Sequence, residues 1–147
     1  MAERQYGIHG EYRDLLCSKG IKPSYQRLLI LKYIMKNKTH PSAENVFRNI
    51  SRSVPTLSRT TVYNNLNLFV KKGILTGIKT NKSETRYDIV EFPHAHFYCS
   101  LCQQIIDVEL KIPLYHRHFI QRHKIEEVTV QFRGSCRNCL EKKEKST

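Results

Sequence analysis

SRTTVYNNLNLFVKKGILTGIKTNKSETRYDIVE, residues 58–91, decides how the first part of this chain folds. Ser58 stands where a helix N-cap belongs. Val62, Leu66, Phe69 and Val70 then fall at i, i+4, i+7 and i+8, an apolar stripe of helical period, and Gly73 closes the helix. The opposite face carries Arg59, Thr60, Tyr63, Asn64, Asn67 and Lys71. Two strand-like runs follow, Ile74 to Thr80 and Thr85 to Glu91. The polar turn at 81–84 joins them as a hairpin.

Working upstream, residues 11–19 read as a short helix that stops at Gly20. Ser24 caps a second helix, in which Leu28, Leu31, Ile34 and Met35 repeat at helical spacing through Lys38. Ser42 caps a third, with Val46, Phe47 and Ile50 on one face. Residues 51–57 connect it to the helix at 58–72. Three helices and a hairpin make a winged helix-turn-helix, in which the helix at 58–72 enters the major groove and the hairpin touches backbone. The bland reading of that polar face is ordinary solvation. Arg59, Thr61, Tyr63 and Asn64 are the candidate DNA contacts on the helix, with Lys79 and Lys82 as phosphate contacts on the wing.

Downstream, Phe92-Pro93 breaks the pattern and marks a hinge at 92–95. His96 to Ser100, Ile105 to Leu110 and Glu127 to Arg133 read as strands. Pro113 starts a helix that runs to about His123, and the charged tail from Glu141 to Thr147 reads as frayed. The expected fold is therefore α+β. A winged-helix DNA-binding domain spans 1–91, and a smaller α/β domain with a three-stranded antiparallel sheet spans 96–147.

Two C-x-x-C pairs, Cys99/Cys102 and Cys136/Cys139, lie in that second part. Each pair lets two thiolates reach one ion, and two pairs complete a tetrahedron around Zn²⁺. The competing reading is disulfides or free thiols. A Cys₄ site is closed, so His94 and His96 beside the first pair point to a second ion. His-x-His on an extended segment puts both rings on one side. Asp107, on the next strand, can converge with them. Two histidines and a carboxylate leave positions open on a metal such as Fe²⁺; alternatively both histidines simply support the zinc cysteines. On spacing alone, His40 and Asp88 are a loop residue and a partner for Arg86.

The 147 residues suffice for one domain or two small ones, and two halves of about 70 residues each need a staple or a partner. Twenty-five basic residues against 13 acidic ones give a net charge of +12, which favours nucleic acid as partner over a merely soluble basic surface. No apolar run is long enough for a membrane span, and the first residues lack the apolar core of a signal peptide. A cytoplasmic location is expected, where paired cysteines are more often metal ligands than disulfides.

Several motifs taken together are specific. They are His40-Pro41-Ser42-Ala43-Glu44, Thr60 to Leu66 (TTVYNNL), Arg86-Tyr87-Asp88, His94-x-His96-x-x-Cys99-x-x-Cys102, Ile105-Ile106-Asp107 and Cys136-x-x-Cys139. With them the chain, from about 11 to 141, resembles the ferric uptake regulator family, and its peroxide-sensing branch in particular. The resemblance implies a homodimeric, metal-dependent repressor that binds double-stranded operator DNA, with the C-terminal part as dimerisation domain. It implies structural Zn²⁺ on Cys99, Cys102, Cys136 and Cys139. It further implies a regulatory Fe²⁺ or Mn²⁺ site from His40, Asp88, His94, His96 and Asp107. Asp at 107 and the Asn64-Asn65 pair look like the peroxide branch; iron-responsive members typically carry Glu at the former position. In that branch, peroxide acts through bound Fe²⁺ to oxidise a ligand histidine, His40 or His94 here. Tyr25 departs from the family, which commonly has Pro there.

Three other functions are compatible with these residues: a metal-uptake regulator sensing Fe²⁺ or Zn²⁺ itself, a metal-dependent hydrolase, and a zinc-stapled interaction protein that binds no DNA. The hydrolase lacks a visible general base such as the Glu of H-E-x-x-H. Cys17 reads as a small buried apolar residue. His116, His118 and His123 share the expected helix, either solvated or forming an accessory metal site.

Overall fold

The computed structural model describes residues 3–80, 83–92, 94–111 and 118–145, and for 3–9 the backbone only. The chain divides into two compact units, Met1–Val90 and Glu91–Thr147.

In the first unit, α1 (Glu3–Ser18), α2 (Tyr25–Lys36), α3 (Ala43–Ser51) and α4 (Arg59–Lys71) precede the hairpin of β1 (Leu75–Lys79) and β2 (Thr85–Ile89). Each helix boundary has a chemical cause. Ser24, Ser42 and Ser58 accept hydrogen bonds from the backbone N–H of Arg27, Asn45 and Thr61, three residues on, as N-caps do. Asn45 returns the favour at Ser42, completing a capping box. Gly20 and Gly73 both sit at φ +68. There they let Ile21 N–H reach Leu16 O at 2.8 Å and Ile74 N–H reach Phe69 O at 2.9 Å, the six-to-one bond that stops a helix in the left-handed region. Leu16, Ile30, Leu31, Ile34, Val46, Val62, Leu66 and Phe69 form a core with essentially no exposed area.

Two expectations change here. α1 begins at Glu3, well before residue 11, in a stretch with Gly7 and Gly10 that shows no apolar period. Cys17 is exposed rather than buried, because Leu16 beside it takes the inward position.

In the second unit, β3 (Ala95–Cys99) is the central strand between β4 (Ile105–Val108) and β7 (Gln131–Gly134). β3 and β4 are antiparallel, whereas β3 and β7 run parallel, so the three-stranded sheet is mixed rather than wholly antiparallel. Only the last part of the expected third strand pairs. The expected helix from Pro113 to His123 is not present over its described part. Instead β5 (Phe119–Ile120) and β6 (His123–Lys124) form a tight hairpin turned by Gln121 and Arg122, at φ +46 and +70. Phe119, Ile120 and Ile125 do not recur at helical spacing. Residues 112–117 lie outside the described set. α5 (Arg137–Glu144) occupies most of the stretch expected to be frayed; it starts at Cys136 and is supported by the i,i+4 pair Arg137–Glu141 at 2.8 Å. Among the described residues no helix is long and apolar enough to cross a membrane.

Candidate metal centres and nucleic-acid interface

The end of β3 and the start of α5 bring four sulfurs together. Cys99 ends β3. A knuckle follows in which Gln103 N–H donates to Cys99 O at 2.9 Å, with Gln103 at φ +63. Cys136 is the N-cap of α5 and Cys139 lies in its first turn. The sulfurs of Cys99 and Cys139 are 3.9 Å apart, those of Cys102 and Cys136 3.7 Å. All four lie within 4.8 Å of one another. Four ligands at about 2.3 Å from a tetrahedral Zn²⁺ are separated by about 3.8 Å, so the spacing fits one ion. All five cysteines are free thiols, so none is paired as a disulfide.

Backbone geometry prepares one thiolate. Cys102 N–H and Cys136 N–H point at Cys99 Sγ, at 3.5 and 3.3 Å. These two donors, Cys102 first, lower the Cys99 pKa to about 6. Cys139 moves the other way, to about 12, chiefly through its hydrogen bond with the Cys136 thiol. Without an ion the cluster therefore holds one sulfur ready to ionise and one reluctant; a divalent ion draws off all the protons.

The first unit contains a second constellation. Residues 40–42 run beside β2 as a short extra strand: Tyr87 N–H donates to Pro41 O at 3.0 Å and Ser42 bridges Arg86. In that antiparallel register residue 40 stands opposite residue 88. His40 and Asp88 are both buried, with His40 Nε2 3.7 Å from Asp88 Oδ2. Arg86 Nη1 donates to His40 O at 3.4 Å. His40 lies at φ +50, a left-handed conformation uncommon for a side-chain-bearing residue.

The second unit contains a third. His96 on β3 pairs directly across from Asp107 on β4. Asp107 Oδ1 lies 3.7 Å from His96 Nε2 and 3.6 Å from His94 Nε2. His94 Nδ1 is 2.9 Å from Phe92 O, which makes that nitrogen a donor and turns Nε2 toward Asp107. These gaps are too long for hydrogen bonds. They are close to the separation of about 3.0–3.7 Å between two ligands on one first-row ion with bonds near 2.1 Å. Nitrogen and carboxylate donors of this kind suit a divalent first-row metal ion.

The candidate DNA residues divide by exposure. Tyr63 and Asn64 are exposed on α4. Thr61 is half-buried and shares a 2.8 Å hydrogen bond with Ser58, so its hydroxyl belongs to the cap. Arg59 is exposed, and two of its nitrogens bond to Glu44 of α3. Lys79 is exposed at the end of β1, while Lys82 lies outside the described residues. Asn65, which the sequence marked only as half of the Asn64-Asn65 pair, has a packing role: it is buried, donates to Thr61 O at 2.8 Å and accepts from Arg27 Nε at 3.0 Å, tying α4 to α2. Its place on the buried side of the α4 stripe was the available signal. His116 lies outside the described residues; His118 and His123 are exposed on the β5–β6 hairpin and join no cluster of three ligand-type side chains among those described.

The Ferric uptake regulator family matches residues 18–133. This chain belongs to the ferric uptake regulator family. At that level it is a regulator of transcription rather than an enzyme. The Staphylococcus aureus protein named peroxide-responsive repressor PerR is 30% identical over 131 residues, covering 84% of this chain and 85% of its own. The structure of Streptococcus pyogenes PerR, described in terms of peroxide sensing and gene regulation, is 28% identical with a TM-score of 0.52, covering 90% of this chain and 92% of its own. The Helicobacter pylori ferric uptake regulator Fur, described as having three functional metal-binding sites, is 23% identical with a TM-score of 0.70 over 92% and 93% of the two chains. At that identity it supports the fold alone.

Proposed function

We propose that this ferric uptake regulator family member is a cytoplasmic, homodimeric, metal-dependent repressor that binds operator DNA and is released from it by hydrogen peroxide. The observation that carries this reading is Asp107 set across the strand from His96 and within 3.7 Å of both His94 and His96, with a carboxylate one carbon shorter than the Glu of iron-responsive members. In this reading His40, Asp88, His94, His96 and Asp107 are the ligands of one regulatory ion, Fe²⁺ or Mn²⁺. Cys99, Cys102, Cys136 and Cys139 hold structural Zn²⁺. The dimerisation surface belongs to the C-terminal unit.

Bound Fe²⁺ supplies one-electron chemistry toward peroxide, which Mn²⁺ supplies poorly. The residues themselves hold and orient. Phe92 O fixes the tautomer of His94, and the strand register fixes Asp107 opposite His96. In this reading His40 or His94 gains one oxygen atom from peroxide, whose O–O bond breaks and whose other oxygen leaves as water, so the two-electron oxidation of the ring balances. Loss of a ligand weakens metal binding, and DNA affinity falls with it by linkage. In this reading Arg59, Thr61, Tyr63 and Asn64 face the DNA from α4, and Lys79 from the wing.

The test is DNA binding by the Fe²⁺ and Mn²⁺ forms, before and after peroxide, with mass spectrometry of the histidine peptides. Release of the Fe²⁺ form alone, with oxygen added at His40 or His94, supports the reading. Release without histidine oxidation would sink the mechanism. Binding that follows added Fe²⁺ or Zn²⁺ and ignores peroxide would make the protein a metal-uptake regulator instead.

A further inference from the structure

We propose that Glu44 and Phe47 of α3 are positioning residues for Arg59, presenting its guanidinium as a preset two-donor edge to a pair of adjacent acceptors on operator DNA. This rests on the DNA-binding reading above and adds the device that aims one of its side chains.

Arg59 opens α4, one residue past the cap at Ser58. Its Nε donates to Glu44 Oε2 at 3.0 Å and its Nη2 to Glu44 Oε1 at 3.3 Å. The guanidinium carbon also lies 4.4 Å from the centre of the Phe47 ring. α3 thus supplies a carboxylate at one side of the guanidinium plane and an aromatic face beneath it. Arg48 Nε donates to the same Oε1 at 3.3 Å, so two cations share Glu44. The hydrogen bond from Arg59, first among the causes, holds the Glu44 carboxyl below its ordinary range, so it stays ionised at neutral pH.

An arginine carries five N–H donors in one plane. Glu44 uses the Nε–Nη2 side, and Phe47 covers a face. The remaining edge joins the two Nη atoms, whose outward N–H groups are parallel. That edge matches O6 and N7 of guanine, or two oxygens of one phosphate. The Arg59 side chain is 62% exposed, so the edge is reachable. Two effects compete. A carboxylate near DNA repels it, while a side chain already fixed in one rotamer loses less freedom on binding. Glu44, Arg48 and Arg59 together still carry one positive charge, so the cluster as a whole attracts DNA.

The test uses full-length Mn²⁺-loaded protein and a duplex that it enriches from a randomised pool. If the wild-type protein enriches no sequence, the DNA-binding reading itself fails and takes this inference with it. Given a duplex, E44Q and R59A are each expected to weaken binding about tenfold, and the double variant no more than R59A alone. F47L is expected to weaken binding in the same direction. For a guanine target, R59A loses discrimination at one base pair and E44Q loses it at the same one. For a phosphate target, both lower the salt slope by about one with no change in sequence preference. Additive losses in the double variant, or tighter binding by E44Q, overturn the proposal.

Discussion

The N-terminal and C-terminal units hold their shape by different means. The N-terminal unit buries Leu16, Ile30, Leu31, Val62, Leu66 and Phe69 completely and is closed by capped helices. Among the described residues of the C-terminal unit, the buried hydrophobic set is Ala95, Tyr98, Cys99 and Cys136, while Leu101, Ile106, Phe119, Phe132 and Leu140 stay exposed. A unit of that size with so small a core needs a staple. The Cys₄ cluster is placed to be one, and the exposed apolar side chains suit the proposed dimer partner. Hydrophobic burial stabilises one half, and in the proposed reading a metal ion stabilises the other.

The strongest way to break that contrast is to remove the metal. Chelation, or C136S, is expected to lower hydrogen-exchange protection of β3, β4 and β7 sharply while α2 and α4 keep theirs, because a structural zinc site contributes folding free energy directly. Equal loss in both halves would show that the N-terminal unit is not self-sufficient. The reciprocal change is F69A. It should cost the N-terminal unit about 3–5 kcal/mol in denaturant unfolding and leave zinc content unchanged.

Acidity sharpens the contrast in the metal-free protein. Cys99 ionises near 6 when folded against 9.0 ordinarily, so its contribution is fully present above pH 9.0 and is lost as pH falls toward about 6. Cys139 is raised from 9.0 to about 12, so its contribution is present below pH 9.0 and is lost as pH rises toward about 12. Stability of the metal-free C-terminal unit should peak near pH 9, read from thermal midpoints across that range; a flat profile would discount the N–H donors to Cys99. The smallest expected effect is S58A, about 1 kcal/mol from loss of the α4 cap, measured by denaturant midpoint and confined to the N-terminal unit.

These differences track what could be read in advance. Caps and stops are local chemistry, so Ser24, Ser42, Ser58, Gly20 and Gly73 placed the helices well. The C-x-x-C pairs are local in the same way. Where a large core decides structure, the apolar period is visible in the sequence, as along α4. Where it does not, the signal fails: α5 buries no side chain, and the β5–β6 turn is made by Gln121 and Arg122 rather than by glycine. The direction of β7 depends on pairing across the sheet, which alternation along one strand cannot encode. The facing of His40 to Asp88 and of His96 to Asp107 is likewise a matter of strand register. Spacing alone left His40 and Asp88 looking like a loop residue and a partner for Arg86, and only the family resemblance raised them.

His40 is a conformational element as well as a proposed ligand. At φ +50 its backbone starts the segment whose Pro41 and Ser42 pair with β2. Alanine at that position removes an imidazole and also replaces a residue type that visits the left-handed region more readily than alanine does. Asparagine tolerates the left-handed region, so it deletes the ring with less disturbance to the turn. A phenotype shared by H40A and H40N reports on the imidazole, whereas one confined to H40A reports on the shape of the chain.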